Sequence, residues 1–220
     1  DEDCPWWPRW RSLTEPRHAT AKAMCRVPLQ LAGQCDLWAH GFPGTLTNRS
    51  ALYTAWLWLR LRHALGHGLA SGEQHTTEAL KVFRQRGERW RALGLLSERD
   101  CRRIASPEDW LVPYPDALPL DGTLLQHLMR HAEAQYRDGA ADGMAGSLRC
   151  ARVDLPVDEV ATWIKDSTTR QTWLDAVAEL GLAATDETTG LFGYSHPSWG
   201  EFLASVRLLP RTPPLQLPAV

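Results

Sequence analysis

The chain has 220 residues, 44% of them hydrophobic, which is enough for one sizeable domain or two small ones. Its 24 Lys and Arg are scattered among 26 Asp and Glu, so a net charge of −2 excludes recruitment to nucleic acid or anionic lipid by charge alone. The longest apolar run, Ala51 to Leu59, is too short to span a bilayer and is stopped by Arg60 and Arg62.

The opening DEDCPWWPRW lacks the basic start and apolar run of a signal peptide. Five cysteines, odd in number and never spaced C-x-x-C, point to reduced thiols in a cytoplasmic protein. Residues 1–14 form an aromatic loop carrying Trp6, Trp7 and Trp10, expected to dock by its rings. Most of the eleven tryptophans fall in predicted helices, as core and interface packing.

Residues 15–146 read as a helical region. A first pair of helices breaks at Pro28, which supplies no amide proton and disfavours helix at Val27. Thr47 or Asn48 then caps a helix to about Leu65, with Leu52, Trp56, Leu59 and Tyr53, Leu57, Leu61 as two adjacent apolar stripes. A helix or helix pair over Glu73–Leu96 is interrupted at Gly87 and Gly94, and Ser97 opens a short one. Ser106-Pro107-Glu108-Asp109 signals another start, and 112–119 is a proline-rich connection. The pattern predicts an amphipathic helix over 121–137 with Leu124, Leu125, Leu128, Met129, Ala132 and Tyr136 on one face. Residues 139–147 are a loop and the expected domain boundary.

From 147 to 209 the expected order is a strand ending near Leu155, a helix over Pro156–Lys165, and a helix over Ser167–Leu180 capped by Ser167. Strands Leu182–Ala184 and Leu191–Tyr194 follow as a hairpin, then a histidine turn. The last helix has Ser195 as cap, Pro197 just inside, and Trp199, Phe202, Leu203, Val206 and Leu209 on its buried face. This order is that of a winged helix. Residues 210–220 are a proline-rich tail.

Three stretches resemble NACHT-type STAND nucleotide-binding proteins. Tyr194, His196, Glu201 and Phe202 match the aromatic-x-His motif that closes their winged helix. Pro28-Leu29 matches their proline–leucine pair, and Arg49, Leu52 and Tyr53 match the segment that follows it. The resemblance implies a mainly α chain, a helical bundle followed by a winged-helix domain with a small β-hairpin. It implies that His196 contacts the phosphates of ADP and that Pro28 packs on the adenine.

No G-x-x-x-x-G-K-[ST] phosphate loop is present, so this chain alone is not expected to hydrolyse ATP or to hold a cofactor. It reads as the regulatory piece of a longer signalling or defence switch. Its expected partners are an upstream P-loop NTPase domain holding ATP or ADP, and protein partners or its own copies on activation, with no membrane involved.

Gly193 and Ser195 resemble a hydrolase nucleophile elbow, but Pro197 replaces the second glycine. His63 with His67, and His127 with His131, have the spacing of zinc ligands on a helix but no accompanying cysteine pair, and surface histidines are the plainer reading. A deaminase built on His131 and Glu133 lacks its P-C-x-x-C. Winged-helix DNA binding through 167–180 is disfavoured, since Arg170 is the only base there. A stand-alone helical interaction scaffold is the remaining alternative.

Overall fold

The computed structural model describes residues 23–42, 44–67, 77–106, 121–141, 155–186 and 188–208. Over these the chain is mainly helical with one small antiparallel sheet. The order is α1 (Pro28–Ala39), α2 (Arg49–Ala64), α3 (Thr77–Ala92), α4 (Glu98–Ala105), α5 (Gln126–Ala141), β1 (Leu155–Pro156), α6 (Val157–Trp163), α7 (Ser167–Glu179), β2 (Ala183–Asp186), β3 (Leu191–Tyr194) and α8 (Pro197–Leu208). No helix among the described residues is long and apolar enough to cross a membrane.

Helix α2 is the centre of the core. Asn48 starts it by accepting the Ser50 and Ala51 amides at 2.8 and 3.2 Å, two of the donors a helix start leaves unpaired. Leu52, Tyr53, Trp56, Leu57, Trp58, Leu59 and Leu61 are all buried, so the two apolar stripes merge into a helix covered nearly all round. Helix α1 lies close against it because Gly33 has no side chain: a Cβ there would sit 2.7 Å from the Trp56 ring.

Helix α3 buries only Trp90. It runs through Gly87 without a break, against the interruption expected there. One glycine inside a helix costs roughly 1 kcal/mol, too little to end a helix otherwise anchored by packing. The stop comes before Gly94, whose φ of +69° suits glycine. Ser97 and Asp100 form a reciprocal capping box at the start of α4. Buried Asp100 also accepts the Gly122 amide at 2.7 Å and the Asp121 amide at 3.2 Å, pinning the approach to α5 onto α4.

Helix α5 packs along α8, and three side chains of the C-terminal elements bond to α5 and its approach. Trp173 of α7 donates to the Leu124 carbonyl at 2.9 Å, Tyr194 of β3 to the Leu128 carbonyl at 2.8 Å, and Arg207 of α8 to Glu133 at 2.5 Å. The sheet order is β1-β3-β2, with Leu155 opposite Phe192 and Ala183 opposite Tyr194. One apolar cluster runs from Met24 through α2 to Ala204 of α8.

Several expectations are corrected. The 121–137 helix begins at Gln126, with Leu124 and Leu125 buried in the turn before it, and Tyr136 lies on the exposed side. Residues 139–141 are helical instead of loop. Asp166, not Ser167, caps α7: its carboxylate accepts the Thr169 amide at 2.7 Å, and a carboxylate at a helix start also meets the positive end of the helix dipole. The third strand, β1, is only two residues long, and Val206 is half-buried. The aromatic loop 1–14, the start at 107–109, the 112–119 connection, most of the 148–155 strand, Leu209 and the tail lie outside the described residues.

Candidate functional site

The junction between α2 and the turns flanking the β2–β3 hairpin is where the helical region meets the C-terminal elements. On the helical side, Tyr53 and Trp56 project from successive turns of α2. On the other side, Trp199 and Phe202 project from α8. Their rings interlock: Tyr53 meets Trp199 edge-on at 4.9 Å and stacks on Phe202 at 5.6 Å, while Trp56 and Trp199 lie 5.4 Å apart. All four are buried, so the contact contributes both area and ring geometry.

Arg60 extends this contact. Its guanidinium lies 4.2 Å from the centre of the Trp56 ring and donates through Nη1 to the Leu180 carbonyl at 2.5 Å. Leu180 ends α7, so the cation meets the negative end of that helix. Burial holds Arg60 below the ordinary arginine range, and nearby Asp36 offsets part of this. Asp36 also accepts from Trp56 Nε1 at 2.7 Å, so α1, α2 and the end of α7 share one polar knot. Beside it, Asp36, Arg60, His63 and Glu179 line a cavity of about 270 Å3. Arg86 of α3 pairs with Glu179 at 2.6 Å on its rim.

Gly181, next in sequence, has φ +62°, and a Cβ there would collide with the Arg60 guanidinium. Its carbonyl accepts the Ser195 hydroxyl at 2.5 Å, and the Leu182 carbonyl accepts the same hydroxyl at 3.2 Å. Arg60 and Ser195 therefore hold neighbouring peptide groups of one turn. Ser195 is thus not the cap of α8, because its hydroxyl is engaged with β2's approach.

His196 takes the capping role. Its Nδ1 accepts the Ser198 amide at 3.2 Å, which leaves the proton of a neutral ring on Nε2. The ring is half-buried. The structural cap and a ligand contact are compatible, since the first uses Nδ1 and the second would use Nε2–H.

Pro28 stands at the first position of α1, exposed, where its missing amide proton leaves nothing unpaired. Leu29 beside it packs against the core. Neither Pro28 nor His196 lines any of the three clefts described at the Asp36–Glu179 knot, along α3 and between α3 and α4.

The other candidates find packing roles. Ser195 gives its proton to carbonyls, not to a base, so the geometry of a nucleophile elbow is not present. His127 and His131 are half-buried: both lie against Trp163, and His131 also stacks on Tyr194 at 5.9 Å. Burial lowers the His131 pKa to about 4, so its ring is neutral at pH 7, with Nε2 2.7 Å from Gln135. His63 lies 4.2 Å from the ring of His40. Glu133, the proposed deaminase partner of His131, instead pairs with Arg137 and Arg207. No cluster of three metal-ligating side chains occurs among the described residues. Cys25, Cys35 and Cys101 are not joined in disulfides.

Arg60 and the His131 cluster were missed in sequence because their partners lie far along the chain. Arg60 has one visible sign, an arginine on the buried side of an otherwise apolar helix. Comparison with family models, curated proteins and solved structures finds no match.

Proposed function

We propose that the chain is the regulatory half of a nucleotide-dependent switch, a helical region followed by a winged helix that closes over ADP or ATP held by a P-loop domain outside this sequence. The order α5–β1–α6–α7–β2–β3, with β3 between β1 and β2, supports the winged-helix reading, and β2–β3 takes the place of the wing. The observation that carries the functional reading is the placement of His196. It sits at the joint of β3 and α8 with Nδ1 fixed by a backbone amide, so Nε2–H is the donor left for a phosphate oxygen. Ser195 and the 180–182 turn connect that joint to Arg60 of α2. A closed state would engage phosphate through His196, and release would act on the α2 junction. Exposed Pro28 offers a flat apolar surface for the adenine.

The setting proposed is cytoplasmic, with the P-loop domain in cis and self-association or protein partners on activation. DNA binding gains no support. Arg170 of α7 turns back to the Ile164 and Lys165 carbonyls, and Gln171 is bonded to the exposed Asp175.

The test is to purify the natural protein that contains this chain and a P-loop, as wild type and His196→Ala, and to assay extracted nucleotide by chromatography. Loss of bound ADP in the variant supports the reading. Equal ADP occupancy in the two proteins removes His196 from the phosphate site.

A further inference from the structure

Two of the five cysteines come together at the start of α1. Leu31, Cys35 and Trp38 stand four and three positions apart on that helix, which places them on one face. The segment before α1 turns over that face. The Arg26 amide donates to the Ala23 carbonyl at 3.3 Å and the Val27 amide to the Met24 carbonyl at 3.0 Å, and Cys25 is buried within these turns. Cys25 and Trp38 form a small buried cluster, and Leu31 and Cys35 pack against it. The Trp38 ring is fixed in turn, because its Nε1 donates to the Gly44 carbonyl at 2.9 Å. This cluster is separate from the main core.

The two thiols differ in access. Cys25 is 9% exposed, whereas Cys35 is half-buried. Burial raises the Cys25 pKa above the ordinary thiol value, and negative charge on Cys35 raises it further, so the two sulfurs lie within electrostatic reach of each other.

We propose that Cys25 and Cys35 are a redox pair that closes into a disulfide across the start of α1 when a peroxide reaches it. Cys35, the more accessible member, attacks a peroxide oxygen as its thiolate. The O–O bond breaks, one water leaves, and Cys35 becomes a sulfenic acid. The Cys25 thiolate then attacks the Cys35 sulfur, the S–O bond breaks, and the expelled hydroxide takes up the Cys25 proton as a second water. Two electrons pass from the two thiols to the peroxide, and a thiol reductant reverses the reaction by exchange. The new bond closes a ring of residues 25 to 35 and braces the turn against α1. In a reducing compartment the open dithiol is the resting form, and a disulfide there is transient and sensing. Pro28 lies inside the ring; that the bond would fix an adenine contact rests on the nucleotide-switch reading, whereas the pairing itself does not.

The test uses the full chain, reduced, freed of reductant and treated with hydrogen peroxide under native conditions. Remaining thiols are alkylated and the chain is cut with trypsin, which cleaves after Arg26 and so separates the two cysteines. Mass spectrometry is expected to find residues 23–26 joined to residues 27–49 within one chain, with a loss of two of the five thiols that dithiothreitol restores. Cys25→Ser should leave Cys35 as a sulfenic acid that dimedone captures, and Cys35→Ser should leave shielded Cys25 open to alkylation after unfolding. Circular dichroism checks that both variants keep their helices, and the wild-type result decides even where a variant unfolds. A sample oxidised in urea shows what the unfolded chain does: the joined pair should dominate in the native sample and fall among other pairings in urea. An equal share of that pair in both samples overturns the proposal. So does recovery of Cys25 and Cys35 as alkylated thiols after native oxidation, or their pairing with other cysteines instead of each other.

Discussion

Helices α2 and α3 are both sixteen residues long and serve opposite ends. α2 is buried on almost every side, and its rings hold the C-terminal elements. α3 buries Trp90 and presents a face of arginine, lysine and half-exposed aliphatic residues. Length and helix propensity do not distinguish them. The spacing of large apolar residues does: α2 carries them as Leu52-Tyr53 and the run Trp56 to Leu59, whereas α3 separates its few with charges. One helix makes the fold and the other lies at its surface.

That contrast can be broken by truncation. Trp56→Ala should cost about 3–5 kcal/mol in a denaturant titration, because a buried ring packed between Tyr53 and Trp199 leaves a cavity that the junction cannot refill. Asp100→Ala should follow at about 1–3 kcal/mol, since it leaves the buried Gly122 amide without its acceptor and removes the α4 cap. Leu80→Ser on α3 should change stability by no more than about 0.5 kcal/mol. If Leu80→Ser proves as costly as Trp56→Ala, α3 belongs to the core and the contrast fails.

A pH titration sharpens the comparison for the C-terminal elements. The folded-state pKa of His131 is lowered by burial to about 4, below the value near 6.5 of an unfolded histidine. Between those values the unfolded chain binds the extra proton, so this histidine's contribution to stability is complete above about pH 6.5 and is lost as pH falls toward 4. His127 is lowered for the same reason and adds in the same direction. Urea midpoints of wild type and His131→Phe, compared from pH 7 to 4, should converge as pH falls, with the variant's curve the flatter. Parallel curves would contradict a neutral buried His131.

Local chemistry was legible in the sequence where it rests on near neighbours. Asn48, one of the two expected caps, starts α2, Ser97 starts α4 as expected, and the β3–turn–α8 order around His196 stands. The errors have a common cause. Asp166 competed with Ser167 for one helix start, Ser195 was claimed by carbonyls on a distant turn, and Gly87 alone costs too little to end a helix. His127 and His131 looked like surface residues because Trp163 and Tyr194, which cover them, are remote in sequence. Arg60 reaches a carbonyl 120 positions away, beyond any pattern of local spacing.

The turn carrying His196 is tied to α2 through the peptide groups of residues 180–182. A double-mutant cycle with Arg60→Met and Ser195→Ala, followed by denaturant unfolding of all four proteins, tests this most directly. A coupling of about 0.5 kcal/mol or more between the two changes is expected, because both side chains hold the same turn. Additive effects within the error of the titration would mean that α2 and the His196 joint do not communicate through it.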